Sequence, residues 1–225
     1  MAKPRSQMGV IFDLDGVLID SSEFHKQSWF DLAEKEGFEM TDEFFCETFG
    51  MQNYQIIPML AKRDMSPEEI DRLAQWKEQR YRDLIEDAQI LAPGADALLA
   101  DLKRSGFLLA IGSSAPRKNM DFVLERIGVG HYFDAIVTGE DVKEGKPAPD
   151  TFLKAAERLS LPPDRCVVVE DAVAGVQAAR NAGMRVIALA TTRPRKDLTE
   201  ADLVADSLAD LTPDDFINLI EDPTP

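Results

Sequence analysis

Asp13 and Asp15 stand at the end of an apolar run, Val10-Ile11-Phe12, with Leu14 between them and Gly16 behind. Three further apolar runs also end on polar residues. "LLAIGSSAP" reaches Ser113 and Ser114, "VTGEDVKEGKPAPD" supplies Lys146, and "VVVEDAVAG" delivers Glu170 and Asp171. Several carboxylates crowded together repel one another unless a cation lies among them. Oxygen donors at a phosphate-handling site favour Mg²⁺, which takes a few carboxylates together with water and substrate oxygens. Lysine and serine side chains donate well to phosphate oxygens. A carboxylate can attack phosphorus and carry the phosphoryl group as an acyl phosphate. Such transfer asks mainly for positioning and charge neutralisation. In that chemistry one member of the Asp13/Asp15 pair attacks phosphorus and the other handles the proton.

The elements that must hold these groups alternate. Val10–Phe12, Leu108–Ile111, Ala135–Val137, Val167–Val169 and Val186–Leu189 are short, rich in β-branched residues and show little polar alternation, as strands covered on both faces do. Helical patterns lie between them, about Gly94 to Ser105, Arg117 to Ile127, Pro149 to Leu159 and Ala172 to Ala182, the last stopping at Gly183. The expected fold is α/β, a doubly wound, mostly parallel Rossmann-like sheet, and its sites lie outside the carboxyl ends of the strands. From about Leu18 to Leu91 no strand is evident. Asp20 or Ser21 is placed to cap a helix running to Gly37, and further helices are expected from Asp42 and over "NYQIIPMLAKR". The strongest helix begins at Ser66-Pro67, with Glu69 placed to complete a capping box. The domain expectation is therefore a core of residues 1–17 and 92–225, with an all-helical cap, 18–91, able to close over the site.

Composition limits the partners. Of 225 residues, 44% are apolar and 29% charged, suited to one globular unit with an insert. The formal charge is 25 − 41 = −16, which disfavours nucleic acid and anionic membrane but not a small anion met by one metal ion and one lysine. Two cysteines, Cys46 and Cys166, suit a reducing cytosol. No run reaches membrane-spanning length, "MAKPRSQMG" lacks the apolar stretch of a signal peptide, and the tail "EDPTP" is expected to fray. The expectation is a cytoplasmic protein.

"DLDGV", "GSS", "GKPAPD" and "EDAVAGVQAARNAG", in this order, resemble the four motifs of the haloacid dehalogenase superfamily of phosphohydrolases. The resemblance covers nearly the whole chain and is nearest to the β-phosphoglucomutase-like group, whose helical cap follows the first strand. It implies Asp13 as nucleophile and Mg²⁺ ligand, and Asp15 as general acid/base with its backbone carbonyl on the metal. It implies Ser113 and Lys146 on the transferring phosphoryl group, and Asp171, helped by Glu170, on the Mg²⁺. Gly16, Ser114, His25 and Asn53 are assigned to the substrate side. The superfamily's true dehalogenases lack the second aspartate, so Asp15 argues for phosphate chemistry. A small phosphorylated metabolite, such as a sugar phosphate, and a monomeric state are implied by resemblance alone.

Blander readings compete at several positions. Ser113 and Ser114 suit a helix cap before Pro116, and Glu170-Asp171 a helix start. Trp29 reads as cap packing. His25, four residues away on the same face, resembles a histidine near the acid/base in β-phosphoglucomutases. Phe44, Phe45, Phe49, Met59 and Met65 read as packing, Asp96 and Asp101 as solvated faces, and "TTRPRKDL" as an exposed basic loop. A mutase must hold a second phosphate, with the help of a cap arginine in that family. Ungapped alignment puts Asn53 there, which offers no charge and no bidentate fork, and nothing requires Arg63 to replace it. Hydrolysis of a phosphate monoester is therefore favoured over a mutase. A non-catalytic binding protein on the same fold is the third possibility.

Overall fold

The computed structural model describes residues 7–221. The expected fraying of the tail falls beyond Glu221, outside these residues, as do the first six residues of "MAKPRSQMG". Among them six strands form one parallel sheet: β1 Gly9–Phe12, β2 Leu108–Gly112, β3 Ala135–Val137, β4 Cys166–Glu170, β5 Arg185–Leu189 and β6 Leu203–Ala205, in the order β3-β2-β1-β4-β5-β6. The order reverses between β1 and β4, which opens a crevice at their carboxyl ends. The β1 backbone continues one residue further, with Asp13 N donating to Val169 O at 2.9 Å.

Strand alternation divides the core into two layers. Val10 and Phe12 face a layer containing Leu98 and Leu102 of α5 (Ala95–Arg104), Met120 and Val123 of α6 (Arg117–Ile127) and Phe216 of α9 (Pro213–Glu221). Ile11 and Val168 face Phe152 and Ala155 of α7 (Asp150–Leu159) and Val176 and Ala179 of α8 (Val173–Asn181). Near-continuous apolar strands are the consequence of burial on both faces.

The cap lies between β1 and α5. It consists of α1 Ser22–Glu36, α2 Asp42–Thr48, α3 Asn53–Ala61 and α4 Pro67–Ile85. It has its own apolar cluster, with Trp29, Leu32, Phe45, Ile57 and Leu73 at its centre. The chain leaves and re-enters the core side by side, with Asp20 N bonded to Ile90 O at 2.8 Å and Ala92 N to Leu18 O at 2.9 Å.

Two elements escape the sequence reading. β6 is a three-residue edge strand between Asp202 and Asp206, and α9 follows Thr212, whose N and Oγ1 both donate to Asp215 Oδ2. At α4 only half of the expected capping box forms. Ser66 Oγ accepts from Glu69 N at 3.3 Å, while the Glu69 carboxylate pairs with Arg63. Met59, expected to pack, is 49% exposed.

The loop that brings Lys146 back to the sheet is pinned by Asp141. Its Oδ2 accepts from Thr138 N at 2.8 Å and Thr138 Oγ1 at 2.9 Å, and its Oδ1 from Arg158 of α7 at 2.6 Å. Burial opposes ionisation, but these donors prevail and bring the carboxyl from 3.8 to about 2. A group held down in this way stabilises the fold above its unfolded pKa, and the contribution is lost as pH falls through the folded value. Partial exposure of Arg158 reduces the effect to about 1 kcal/mol. Asp141→Asn is therefore expected to lower stability by about 1 kcal/mol at neutral pH. In urea unfolding, the gap from wild type should hold down to about pH 4 and close toward pH 2. A gap that widens on acidification would contradict this.

Candidate active site

The chain folds Leu14 into the core (1% exposed) and then turns tightly, with Gly16 N donating to Ile19 O at 2.8 Å. Residues on either side of Leu14 therefore share the opposite side, and Asp13 and Asp15 both face a pocket between core and cap. Gly16 adopts φ +77°, and a Cβ there would lie 2.1 Å from Asp171 Oδ2. The glycine thus lets the β4 carboxylate lie against the β1 turn. Its amide donates to Ile19 O and its carbonyl accepts from Thr191 Oγ1 at 2.6 Å, so what Gly16 visibly contributes at this site is space.

Lys146 is the one cation inserted among the core acids described here. It is 1% exposed, and its Nζ lies 2.6 Å from both Asp13 Oδ1 and Glu170 Oε1. Burial would depress its pKa, but Asp13 and Glu170 outweigh that and raise it, so the ammonium is permanent. Glu170 Oε2 accepts from the amides of Asp171 and Ala172 at 2.7 and 2.8 Å. Glu170 is thus the counter-charge of Lys146, with three donors on it and one acceptor site remaining on Oε1. Gly175 admits it, since a Cβ there would lie 1.8 Å from Glu170 Oε1.

One ammonium does not neutralise this set. Burial, with Glu170 and Asp15 nearby, pushes the Asp13 carboxyl up to about 7 against the pull of Lys146. Burial, with Glu170 and Asp13 nearby, also pushes Asp171 well up, although Thr192 Oγ1 donates to its Oδ2. Buried carboxylates that resist ionisation beside one another are a donor set short of a cation. Among the described residues no three His, Cys, Asp or Glu side chains form a ready-made metal cage. Mg²⁺ does not require one, because it is held by one or two carboxylates with carbonyl, water and phosphate oxygens completing its shell. Asp13 and Asp171 are buried carboxylates of the kind that fit that ion.

Asp15 is different. Burial would raise its pKa, but His25, Ser21 and Lys77 overcome this and hold it at about 2. Ser21 Oγ donates to Asp15 Oδ1 at 2.6 Å, His25 Nε2 lies 2.9 Å from the same oxygen, and Tyr81 OH lies 3.3 Å away. Ser21, expected as a possible helix cap, makes no side-chain cap bond because its hydroxyl is used here. His25 stacks on Tyr81, with ring centroids 3.8 Å apart, and its Nδ1 lies 2.9 Å from Lys77 Nζ. With Lys77 donating to Nδ1, the Nε2–H donates to Asp15.

Lys77 and Glu78 were not singled out from sequence. Lys77 is 2% exposed, bonded to Glu78 at 3.0 Å and 5.0 Å from the Trp29 ring. Glu78 also accepts from Asn53 Nδ2 at 2.8 Å and Asn119 Nδ2 at 2.5 Å. The readable signal is spacing. Leu73, Lys77, Tyr81 and Ile85 recur every fourth residue along α4, so Lys77 occupies an apolar stripe. A buried charge at such a position survives only when paired.

Ser113 lines the inner pocket, its Oγ accepting from Ala115 N at 3.1 Å. Ser114 lines it too and donates to Gly50 O of the cap at 2.8 Å. Gln52 to Gly139 O at 3.0 Å and Tyr54 to Lys143 O at 3.2 Å add further cap-to-core bonds. Arg63, considered as a substitute for the missing cap arginine, is exposed on Glu69 and outside the pocket lining. "TTRPRKDL" is mostly exposed as expected, except that its two threonines brace Gly16 and Asp171. The inner pocket holds about 60 Å³ and shares Asn53, Glu78, Ser114 and Pro116 with a neighbouring cavity of about 630 Å³.

The family model described as "Haloacid dehalogenase-like hydrolase" matches residues 10–189. The chain is 32% identical over 179 residues to the fructose-1-phosphate phosphatase YqaB of Escherichia coli, covering 80% of this chain and 94% of that one. It is 32% identical over 210 residues to the β-phosphoglucomutase of Bacillus subtilis, covering 90% and 91%. The crystal structure of a β-phosphoglucomutase from Clostridium difficile superimposes with a TM-score of 0.89 at 29% identity, covering 97% of this chain and 99% of that one. The chain belongs to the haloacid dehalogenase-like hydrolases, in the β-phosphoglucomutase-like group with a helical cap, and is an enzyme of the phosphatase and phosphomutase type acting on small phosphorylated metabolites.

Proposed function

We propose that this enzyme is a Mg²⁺-dependent phosphatase that hydrolyses a small phosphate monoester, a sugar phosphate by class, through a phospho-aspartate on Asp13. The observation that carries this reading is the meeting of Asp13, Asp15, Lys146 and Asp171 at the switch point of the sheet, beneath a cap bonded across it. Residues 18–91 act as the cap on a core of 1–17 and 92–225, with a cytoplasmic monomer as the working unit.

Asp13 attacks phosphorus, the bond from phosphorus to the leaving oxygen breaks, and Asp15 supplies that oxygen with a proton. Water then attacks phosphorus, the bond to Asp13 breaks, and Asp15 takes the water's proton. Asp15 is ionised at rest, which suits the second half. For the first half it must carry a proton, which the substrate's phosphate monoanion or water brings in, while His25 Nε2–H at 2.9 Å orients the carboxylate. Lys146 and Ser113 hold the phosphoryl oxygens. Asp13, Asp171 and the Asp15 carbonyl would hold Mg²⁺, which supplies charge neutralisation when bound.

The mutase alternative is favoured by the likeness to the Clostridium and Bacillus proteins. Against it stands Asn53, whose amide is bonded to a carboxylate where a second phosphate would need a cation. Incubation with β-glucose 1-phosphate and a priming bisphosphate is expected to yield inorganic phosphate. Glucose 6-phosphate as the main product would overturn the phosphatase reading.

Asp13→Asn should unfold as cooperatively as wild type yet lose at least about 10³-fold in turnover. Substantial phosphate release by that variant would remove Asp13 as nucleophile. Chelation of divalent metal should abolish activity, and excess Mg²⁺ should restore it. Activity persisting in chelator would exclude the metal from the reaction.

A further inference from the structure

The cap wall that faces the catalytic aspartates carries a charge pair with no positive excess. Glu78 is 6% exposed and lines both the inner pocket and the neighbouring cavity. It holds three donors, Asn53 and Lys77 on Oε1 and Asn119 on Oε2. An ionised carboxylate has about four acceptor sites and no donor, so one site is left for an incoming hydrogen. Lys77, already committed to Glu78 and His25, brings no net charge beyond that of its partner. Arg82 is turned to Asn119 and to Gln79 Oε1. Beyond Glu78 the cavity is lined by Asn53 and Gln75, while the amides of Gln52 and Gln79 are held by Gly139 O and by Asp83 and Arg82. With Lys77 counted against Glu78, the acids Asp71, Glu78 and Glu140 are matched, not exceeded, by Lys77, Arg82 and Lys118. Amides and a carboxylate suit hydroxyl groups. They suit a second phosphate poorly, because it is the carboxylate that lines both spaces, while the ammonium that balances it, Lys77, is turned to His25 and lines only the inner one.

We propose that Glu78 sets the specificity of this site. It accepts a hydrogen bond from a hydroxyl of an uncharged, polyhydroxylated leaving group, and its charge excludes leaving groups that carry a second phosphate. The proposal rests on the phosphatase reading and adds a substrate class to it. A mutase seats a bisphosphate in mid-cycle, so the same carboxylate works against that reaction.

The test uses the full chain with Mg²⁺ and three kinds of probe. p-Nitrophenyl phosphate reports phosphatase chemistry alone. Fructose 1-phosphate and glucose 6-phosphate are then each compared with the corresponding 1,6-bisphosphate. Wild type is expected to hydrolyse p-nitrophenyl phosphate and at least one sugar monophosphate, and to prefer the monophosphate over its bisphosphate by roughly 100-fold in kcat/KM. Glu78→Gln keeps the shape and removes the charge. It should narrow that preference by about 10-fold or more, mainly through a lower KM for the bisphosphate.

No release from any probe by wild type would overturn the phosphatase reading and this proposal with it. Release from p-nitrophenyl phosphate together with equal use of mono- and bisphosphate would overturn the Glu78 assignment alone. So would an unchanged preference in Glu78→Gln. Hydrolysis of p-nitrophenyl phosphate with neither sugar monophosphate turned over would overturn the substrate class. Should the variant fail to fold, the wild-type preference decides.

Discussion

Too much negative charge is buried at the carboxyl ends of β1 and β4 for one lysine to balance. Lys146 reaches Asp13 and Glu170 together, and Asp171 lies against Gly16 with a threonine on one oxygen. Such a cluster is costly without a partner of opposite charge, and folding alone does not require it. The glycines at 16 and 175 exist to let these carboxylates approach, and the loop pinned by Asp141 exists to return the lysine. A divalent cation and a phosphoryl group are the partners that make such a cluster favourable.

The cap repeats this logic with the opposite outcome. Its buried charges are already paired, Lys77 with Glu78, and Lys77 also lies against His25, which carries the chain of contacts on to Asp15. Core acids await a cation, whereas the cap wall is balanced and lined with amides. The difference separates the half of the site that moves the phosphoryl group from the half that meets the rest of the molecule. Hydrogen bonds from Ser114, Gln52 and Tyr54 hold the two halves together across the cleft.

The core was legible because each strand is a short run buried on both faces and each run ends on the groups it positions. The turn after Phe12 could be read from Asp-Leu-Asp-Gly, since burying the leucine leaves both aspartates on one side. β6 was missed because three apolar residues between acids carry no period, and because its place at the sheet edge leaves it only partly buried. α9 could have been found from Thr212 and Asp215 at capping distance. In the cap, pattern revealed helices but not which of their faces meets the core. Lys77 and Glu78 look like ordinary surface charges in "QWKEQRYRD" until the four-residue spacing of Leu73, Tyr81 and Ile85 is set beside them. Glu170 was legible as an acid but not as the counter-charge of Lys146, because that contact spans 24 residues and depends on the parallel sheet.

Chemical trapping of the covalent intermediate tests the central claim most directly. Borohydride added during turnover of p-nitrophenyl phosphate with Mg²⁺ reduces an acyl phosphate to the alcohol, which turns the aspartate that carried it into homoserine. Mass spectrometry of the peptide spanning the first strand and its turn should find homoserine at position 13, and only when substrate and metal are both present. Homoserine at a different acid, or an unmodified Asp13 while phosphate release proceeds with a burst, would contradict it.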